Sequence, residues 1–307
     1  MRMHPTTARL LASLLLTAAT AAGCVQPQRG PVQVQGPQTT QQRAATPVTP
    51  MPNREGSVKF AVLGDWGDGS NGQMAMAAQM FRTHQQFPYE FVLTVGDNIY
   101  GSERPQDFER KFEIPYKWLL DRDVKFYASL GNHDQPEQAF YKPFNMDGKV
   151  YYSFTKSNVK FIALHSDYLD PEHIAWLQKE LEGSREDWKI PYFHHPPYSS
   201  GGRHGSHLTH REVLEPLFVK HNVSVVFTGH DHIYERVKPQ QGIVYFVAGS
   251  GGKLRGGDID RTTGITAVAN ARERVFVICE ISGDELVFNA VSQSGAVIDS
   301  GVITRRK

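Results

Sequence analysis

Five short clusters of oxygen and nitrogen donors follow one another along the chain: Gly64-Asp65-Trp66-Gly67, Gly96-Asp97-Asn98-Ile99-Tyr100, Gly131-Asn132-His133-Asp134, His194-His195-Pro196-Pro197 and Gly229-His230-Asp231-His232. Carboxylate, carboxamide, phenol and imidazole groups are the side chains that ligate metal cations. One such cluster would carry little weight, because Gly, Asp and Asn are ordinary turn residues. Each of the five, however, stands behind an apolar, β-like run, which puts the donors in loops leaving strands on one edge of a sheet, where α/β proteins build their sites. A pair of ions about 4 Å apart needs a shared anion, and the centrally placed Asp97 suits that bridge. Asp65, Tyr100 and one histidine then serve one ion, while Asn132 and two histidines serve the other.

The elements that must hold these loops are legible in the pattern. Apolar runs at residues 58–63, 91–95 and 124–130 are strands, and the spacing of Met74, Met76, Ala77, Met80 and Phe81 predicts a helix closed off by Pro88. The methionines of that helix are core packing. Phe108, Phe112, Trp118 and Leu119 mark one or two helices broken by Pro115. Residues 150–154 and 159–164 form a hairpin around Ser157-Asn158. Asp170-Pro171 opens a helix with Ile174, Leu177 and Leu181 on one face and Gly183 beyond its end. Strand 189–193, helix 212–221 and strand 223–227 come next. Residues 243–247, 275–281, 285–290 and 297–303 are further strands. Early β-α alternation followed by strand-rich sequence predicts an α/β fold of two mixed β-sheets packed as a sandwich flanked by helices.

Length and charge narrow the rest. The chain has 307 residues, 40% of them hydrophobic, and Lys+Arg 33 against Asp+Glu 32, so no bulk electrostatic partner such as nucleic acid is expected. Residues 1–23 read as an export signal: Arg2 and Arg9 precede a short apolar stretch, and Ala21-Ala22-Gly23-Cys24 resembles a lipobox that would lipidate Cys24. Simple secretion, with cleavage after Ala19-Thr20-Ala21, is the alternative. Residues 24–56, rich in Gln, Pro and Thr, read as a disordered tether, with the catalytic domain over 57–307. Cys279, in an apolar run, reads as a buried strand residue, so no disulfide framework is expected.

The ordered series Gly-Asp-x-Gly, Gly-Asp-x-x-Tyr, Gly-Asn-His-Asp, His-x-Pro and Gly-His-x-His resembles the calcineurin-like metallophosphoesterases, and within them the small animal-type purple acid phosphatases. The wider superfamily has Asp-x-His in its first motif, where this chain has Asp65-Trp66-Gly67 and Tyr100 supplies the missing ligand. The resemblance implies Fe(III) on Asp65, Asp97, Tyr100 and His232, and a divalent ion (Fe, Zn or Mn) on Asp97, Asn132, His194 and His230. A tyrosinate demands a strongly Lewis-acidic partner, since a phenol ionises near pH 10 in water. The implied reaction is hydrolysis of phosphate monoesters by a metal-bound hydroxide in line with the leaving group, with His133 and His204 in the positions of the family's pair of nearby histidines. The loop from Tyr198 to His207 is one residue longer than the animal-type pattern, and His195, His207 and His210 compete with His204 for its role. Gly249-Ser250-Gly251-Gly252 lacks a P-loop ending and reads as a tight turn bordering the pocket, while His165 and Asp167 have no assigned role. The expected partner is a small phosphorylated substrate, outside the cytoplasm; a phosphodiesterase or nucleotidase using two divalent ions, and a non-catalytic surface lipoprotein, are the competing readings. Oligomeric state and physiological substrate are not legible.

Overall fold

The computed structural model describes residues 48–307; the expected export signal, Cys24 and most of the 24–56 tether lie outside the described residues. Two mixed sheets pack face to face. The first has the order β13-β12-β11-β1-β2-β3, with β1 (Val58–Leu63), β2 (Phe91–Val95) and β3 (Lys125–Ser129) parallel, and β11 (Val275–Ser282), β12 (Glu285–Ser292) and β13 (Val297–Thr304) joined as an antiparallel meander. The second has the order β10-β8-β9-β7-β6-β5-β4. In it β5 (Val159–Ala163), β6 (Trp188–Tyr192), β7 (Val225–Thr228) and β9 (Val244–Ala248) run parallel, and β4 (Tyr152–Lys156) closes one edge. The expected sandwich is the observed fold. Its parallel strands are buried on both faces, which is why they read as continuous apolar runs rather than as alternating ones.

The layers are joined by aromatic rings projecting from both inner faces. Phe60 of β1 meets Phe161 of β5 at a ring-centroid distance of 5.2 Å, Phe91 meets the same ring at 5.2 Å, and Phe246 meets Phe288 at 5.0 Å, all edge to face. Each such buried ring contributes about 1.5–3 kcal/mol through burial alone. Helices α1 (Asn71–Gln86), α2 (Pro105–Phe108) and α3 (Ile114–Leu120) belong to the first layer, where α1 and α3 pack together; α4 (Pro171–Gly183) and α5 (Leu208–Lys220) cover the second, sealing Leu177, Leu181, Leu214 and Phe218 against Ile162 and Val226.

Three expectations are corrected. Pro115 does not break a helix: it occupies the first turn of α3, where its missing N–H is not needed, and a π-turn at Glu109–Glu113 joins α2 to α3. Strands β8 (Tyr234–Val237) and β10 (Thr266–Asn270) went unread, because β8 carries Glu235 and Arg236 in its middle and β10 is a half-buried edge strand. The packed chain also begins before residue 57. Thr49 N–H donates to Ser300 Oγ at 2.8 Å, and the N–H groups of Asn53 and Arg54 donate to the two oxygens of the buried Glu280, each at 2.5 Å. Polar composition hid this strap, which main-chain donors and the apolar side chain of Met51 attach to the core.

Candidate metal centre

Because β1, β2, β3, β6 and β7 are parallel within their sheets, their C-terminal ends deliver the five donor clusters to one edge of the sandwich. Asp65, Asp97 and Asn132 arrive from the first sheet, His194 and His230 from the second. Three of these residues sit in left-handed backbone conformations: Asp65 at φ 54°, Asp97 at φ 52° and His230 at φ 71°. For non-glycine residues such conformations cost about 1 kcal/mol or more each, and they persist only where the surroundings fix them. Here the fixing is visible. Asp65 N–H donates to Gly96 O at 3.0 Å, and Asp65 O accepts from Gly252 and Lys253 N–H at 3.0 and 2.8 Å. The Gly249–Gly252 loop is therefore a clamp on the Asp65 turn, and a Cβ on Gly251 would meet Gly64 O at 2.7 Å.

The Asp97 turn is held from Asp134. Its carboxylate accepts from Asn98 N–H at 2.8 Å, Ile99 N–H at 3.0 Å, Gly131 N–H at 2.9 Å and Gln138 Nε2 at 2.7 Å. Burial, together with the charge of Asp97, pushes the Asp134 carboxyl up to about 8, against the pull of these donors.

The seven expected ligands converge. Tyr100 Oη lies 3.2 Å from Asp65 Oδ1 and 3.2 Å from His232 Nε2; His194 Nε2 lies 3.1 Å from Asn132 Oδ1, 3.4 Å from Asp97 Oδ1 and 3.2 Å from His230 Nδ1. Donors sharing one ion at about 2.1 Å stand about 3.0–3.4 Å apart, so these spacings fit ligand spheres. The hydrogen bonding agrees. His194 Nδ1–H donates to Val95 O at 2.9 Å, which leaves Nε2 as a bare lone pair facing Asn132 Oδ1 and a carboxylate oxygen, an arrangement that a cation satisfies.

The electrostatics point the same way. Burial raises Asp65 well above the usual carboxylate range, while Asp97, though burial pushes it up, is held below that range by His194 and by the His133 N–H that donates to it at 3.0 Å. The two carboxylates outweigh burial at His194 and raise its pKa; the field that pulls a proton onto this imidazole pulls a metal cation equally. Burial lowers His230 to about 2 and His232 to about 4, keeping both as neutral ligands in mild acid. Burial and the charges of Asp65 and Asp97 drive the Tyr100 phenol far above its ordinary value, so only a strongly Lewis-acidic ion makes it a tyrosinate.

His133 and His204 both border the cluster and are exposed. The His133 ring lies 4.9 Å from that of Tyr100, and the His204 ring 4.1 Å from that of His230. Of the competitors, His195 is buried at 4.5 Å from the His230 ring, and His207 and His210 lie behind it. Sequence reasoning missed Lys253, whose ammonium is 4.7 Å from the Tyr100 ring centroid; its place directly after the glycine loop was the available signal.

The chain matches the model of the calcineurin-like phosphoesterase family over residues 58–234. Purple acid phosphatase 17 of Arabidopsis thaliana is 28% identical over 247 residues, 68% of this chain and 72% of that protein, and human tartrate-resistant acid phosphatase type 5 is 27% identical over 238 residues, 64% and 73%. Among solved structures, a Plasmodium protein described as the anchor in the inner membrane complex superposes with a TM-score of 0.69 at 22% identity, covering 82% of this chain and 90% of its own. A purple acid phosphatase from yellow lupin seeds follows at 0.65 and 20%, covering 84% and 55%.

Proposed function

The chain belongs to the calcineurin-like phosphoesterase family, and on that premise we propose that it is a purple acid phosphatase-type phosphomonoesterase acting on small organic phosphates. It is a metal-dependent phosphoric ester hydrolase with a dinuclear centre. The proposal goes further in assigning Fe(III) to Asp65, Asp97, Tyr100 and His232, and a divalent ion to Asp97, Asn132, His194 and His230. The observation that carries it is the Tyr100 hydroxyl, 3.2 Å from both Asp65 and His232, in a chain that has Gly67 where the wider superfamily pattern has a histidine. Bound there, the ions supply Lewis acidity to phosphoryl oxygens and to the attacking water.

The chain's own residues supply the rest. Asp97 offers one carboxylate to both halves of the donor set, and its left-handed turn keeps that carboxylate in place before any ion arrives. His133 and His204, exposed beside Tyr100 and His230, are placed to meet the phosphate ester and to hand a proton to the leaving oxygen. The fold alone does not decide between enzyme and anchor, since a structural relative is described as an anchor; the unbroken donor set favours catalysis. Export, and anchoring through Cys24, complete the proposal on the strength of the N-terminal sequence.

A visible absorption spectrum of the metal-replete protein tests it. A purple band lost in Tyr100→Phe is the expected result. A colourless protein with both positions filled, cleaving diesters better than monoesters, would replace this reading with a phosphodiesterase using two divalent ions.

A further inference from the structure

Beside the phosphoesterase centre, behind His195, lies a second group of imidazoles around a cleft of about 380 Å³. It is built from the loop after β5, which carries Ser166 and Asp167, from the residue following His194, and from the start of α5, which carries His207 and His210. His195 turns its Nδ1 toward this cleft, 3.0 Å from Ser166 Oγ and 3.6 Å from Asp167 Oδ1. Asp167 pairs, among the described residues, only with imidazoles: His195 and, at 3.5 Å, His165. His210 is 8% exposed, and its Nδ1 is buried without a hydrogen-bond partner. A buried ring nitrogen left bare is costly unless a ligand occupies its lone pair.

We propose that His195, His207, His210 and Asp167 form a third cation site, separate from the phosphoesterase pair, that takes a zinc-like divalent ion.

The ring spacings bring two of the three imidazole pairs to the separation that one ion requires, although no three of the four donors yet stand within 4.8 Å of one another, so the ion must draw them in. With a metal–nitrogen distance of about 2.1 Å, each ring centre stands about 3.2 Å from the ion, and two rings at a tetrahedral angle stand about 5.2 Å apart. His195 to His207 is 5.3 Å and His195 to His210 is 5.6 Å. The same spacing, 5.0 Å, separates His194 from His230 in the main centre. Only His207 and His210, tilted against each other at 3.7 Å, are too close. His207 is half-buried and precedes the first turn of α5, so its side chain can swing outward by the ~1.5 Å that closes a tetrahedral site. The donors also have the supports that metal-bound histidines have. Thr209 Oγ1 lies 3.1 Å from His207 Nδ1, leaving Nε2 for the ion, and Ser166 Oγ lies 3.0 Å from His195 Nδ1. Burial lowers the pKa of His207 and takes that of His210 down to about 4, which favours the neutral, ligating form of both rings. Three neutral imidazoles and one carboxylate suit zinc better than the harder calcium or magnesium.

The test uses the full chain with the phosphoesterase pair already filled. Zn2+ alone is titrated in, free metal is removed and bound metal is counted, with Co2+ as a spectroscopic substitute for tetrahedral coordination. The expected result is about one further equivalent beyond the pair, absent from a His207→Asn, His210→Asn double variant and retained in Asp97→Asn, which disables the pair. Absence of the further equivalent in the parent, or its survival in the double variant, overturns the proposal. If the double variant fails to fold, Asp167→Asn decides: the expected loss in Zn2+ affinity is at least about 10-fold, and an unchanged affinity overturns the site.

Discussion

The ammonium group of Lys253 lies over the ring of Tyr100, 4.7 Å from its centroid, and is tethered 3.7 Å from Asp68. A cation in that position stabilises the phenolate form of the ligand more than the phenol. Lys253→Met is expected to weaken retention of the ion on Tyr100 by about 2- to 30-fold, the range of about 0.5–2 kcal/mol that such contacts contribute. It should also move the charge-transfer band to lower energy, because the phenolate then gives up its electron more readily. An unshifted spectrum in Lys253→Met would remove Lys253 from any tuning role.

Asp134 touches none of the seven donors through its own side chain, yet it collects the N–H groups of Asn98, Ile99 and Gly131. Asp134→Asn sets an amide N–H against those donors. Leaving buried donors without acceptors costs about 1–3 kcal/mol, which should lower Tm by several degrees and reduce metal content, because the Asp97 turn loses its template. A thermal scan paired with metal analysis checks both. A variant with unchanged Tm and a full complement would show that the Asp97 turn holds itself.

Gly96 adopts φ 86°, and a Cβ there would approach the His194 ring at 2.5 Å. Gly96→Ala combines a disfavoured backbone with a collision against a ligand that Val95 O fixes from the other side. The expected outcome is a folded protein, by circular dichroism, that has lost most of its divalent ion and activity. Full activity in Gly96→Ala would mean that His194 has room that the packing does not show.

His173 gives a pH dependence unrelated to catalysis. Its ring stacks on Tyr151 at 4.0 Å, its Nδ1–H donates to Tyr168 O at 3.1 Å, and its Nε2 is buried without a partner. Burial lowers its pKa below 6.5, so the unfolded chain takes up this proton before the folded one does. The stabilisation associated with the neutral ring is complete above the unfolded value near 6.5 and is lost as pH falls below it toward the folded value. His173→Phe keeps the stacking and removes the titration. Its Tm should therefore decline less than that of the parent between pH 7.5 and 5; parallel declines would exclude His173 as the source.

The donor clusters and the sandwich were readable because the parallel strands are largely apolar runs, most of them ending at a glycine, as at Leu63-Gly64 and Val95-Gly96. The signals were local, and closure at one edge followed from parallel pairing. What stayed hidden had tertiary causes. Glu235 is buried in β8 because Ser200 N–H and Thr266 Oγ1 donate to it across the sheet, a compensation no local window displays. The strap at Thr49–Arg54 attaches largely through main-chain donors that every sequence possesses. His210 and Asp167 lie 43 positions apart and meet only because β6 runs parallel to β5 and the chain then turns into α5. The metal identity proposed above rests on Tyr100 alone.

The donors come from both sheets: Asp65, Asp97 and Asn132 from one layer, His194 and His230 from the other. A dinuclear centre on these residues is therefore a cross-link between two layers that otherwise meet through apolar rings and a few polar contacts, such as Asp299 with Tyr234 and Arg236, and it ties residue 65 to residue 232 across most of the domain. Cys279, the cysteine among the described residues, is buried and unpaired, so no disulfide does this work there. Stability then becomes a function of free metal activity in the surroundings, rising with the logarithm of concentration once the sites begin to fill. Chelation should loosen the sandwich along its catalytic edge first, making proteolytic lifetime a gauge of metal supply.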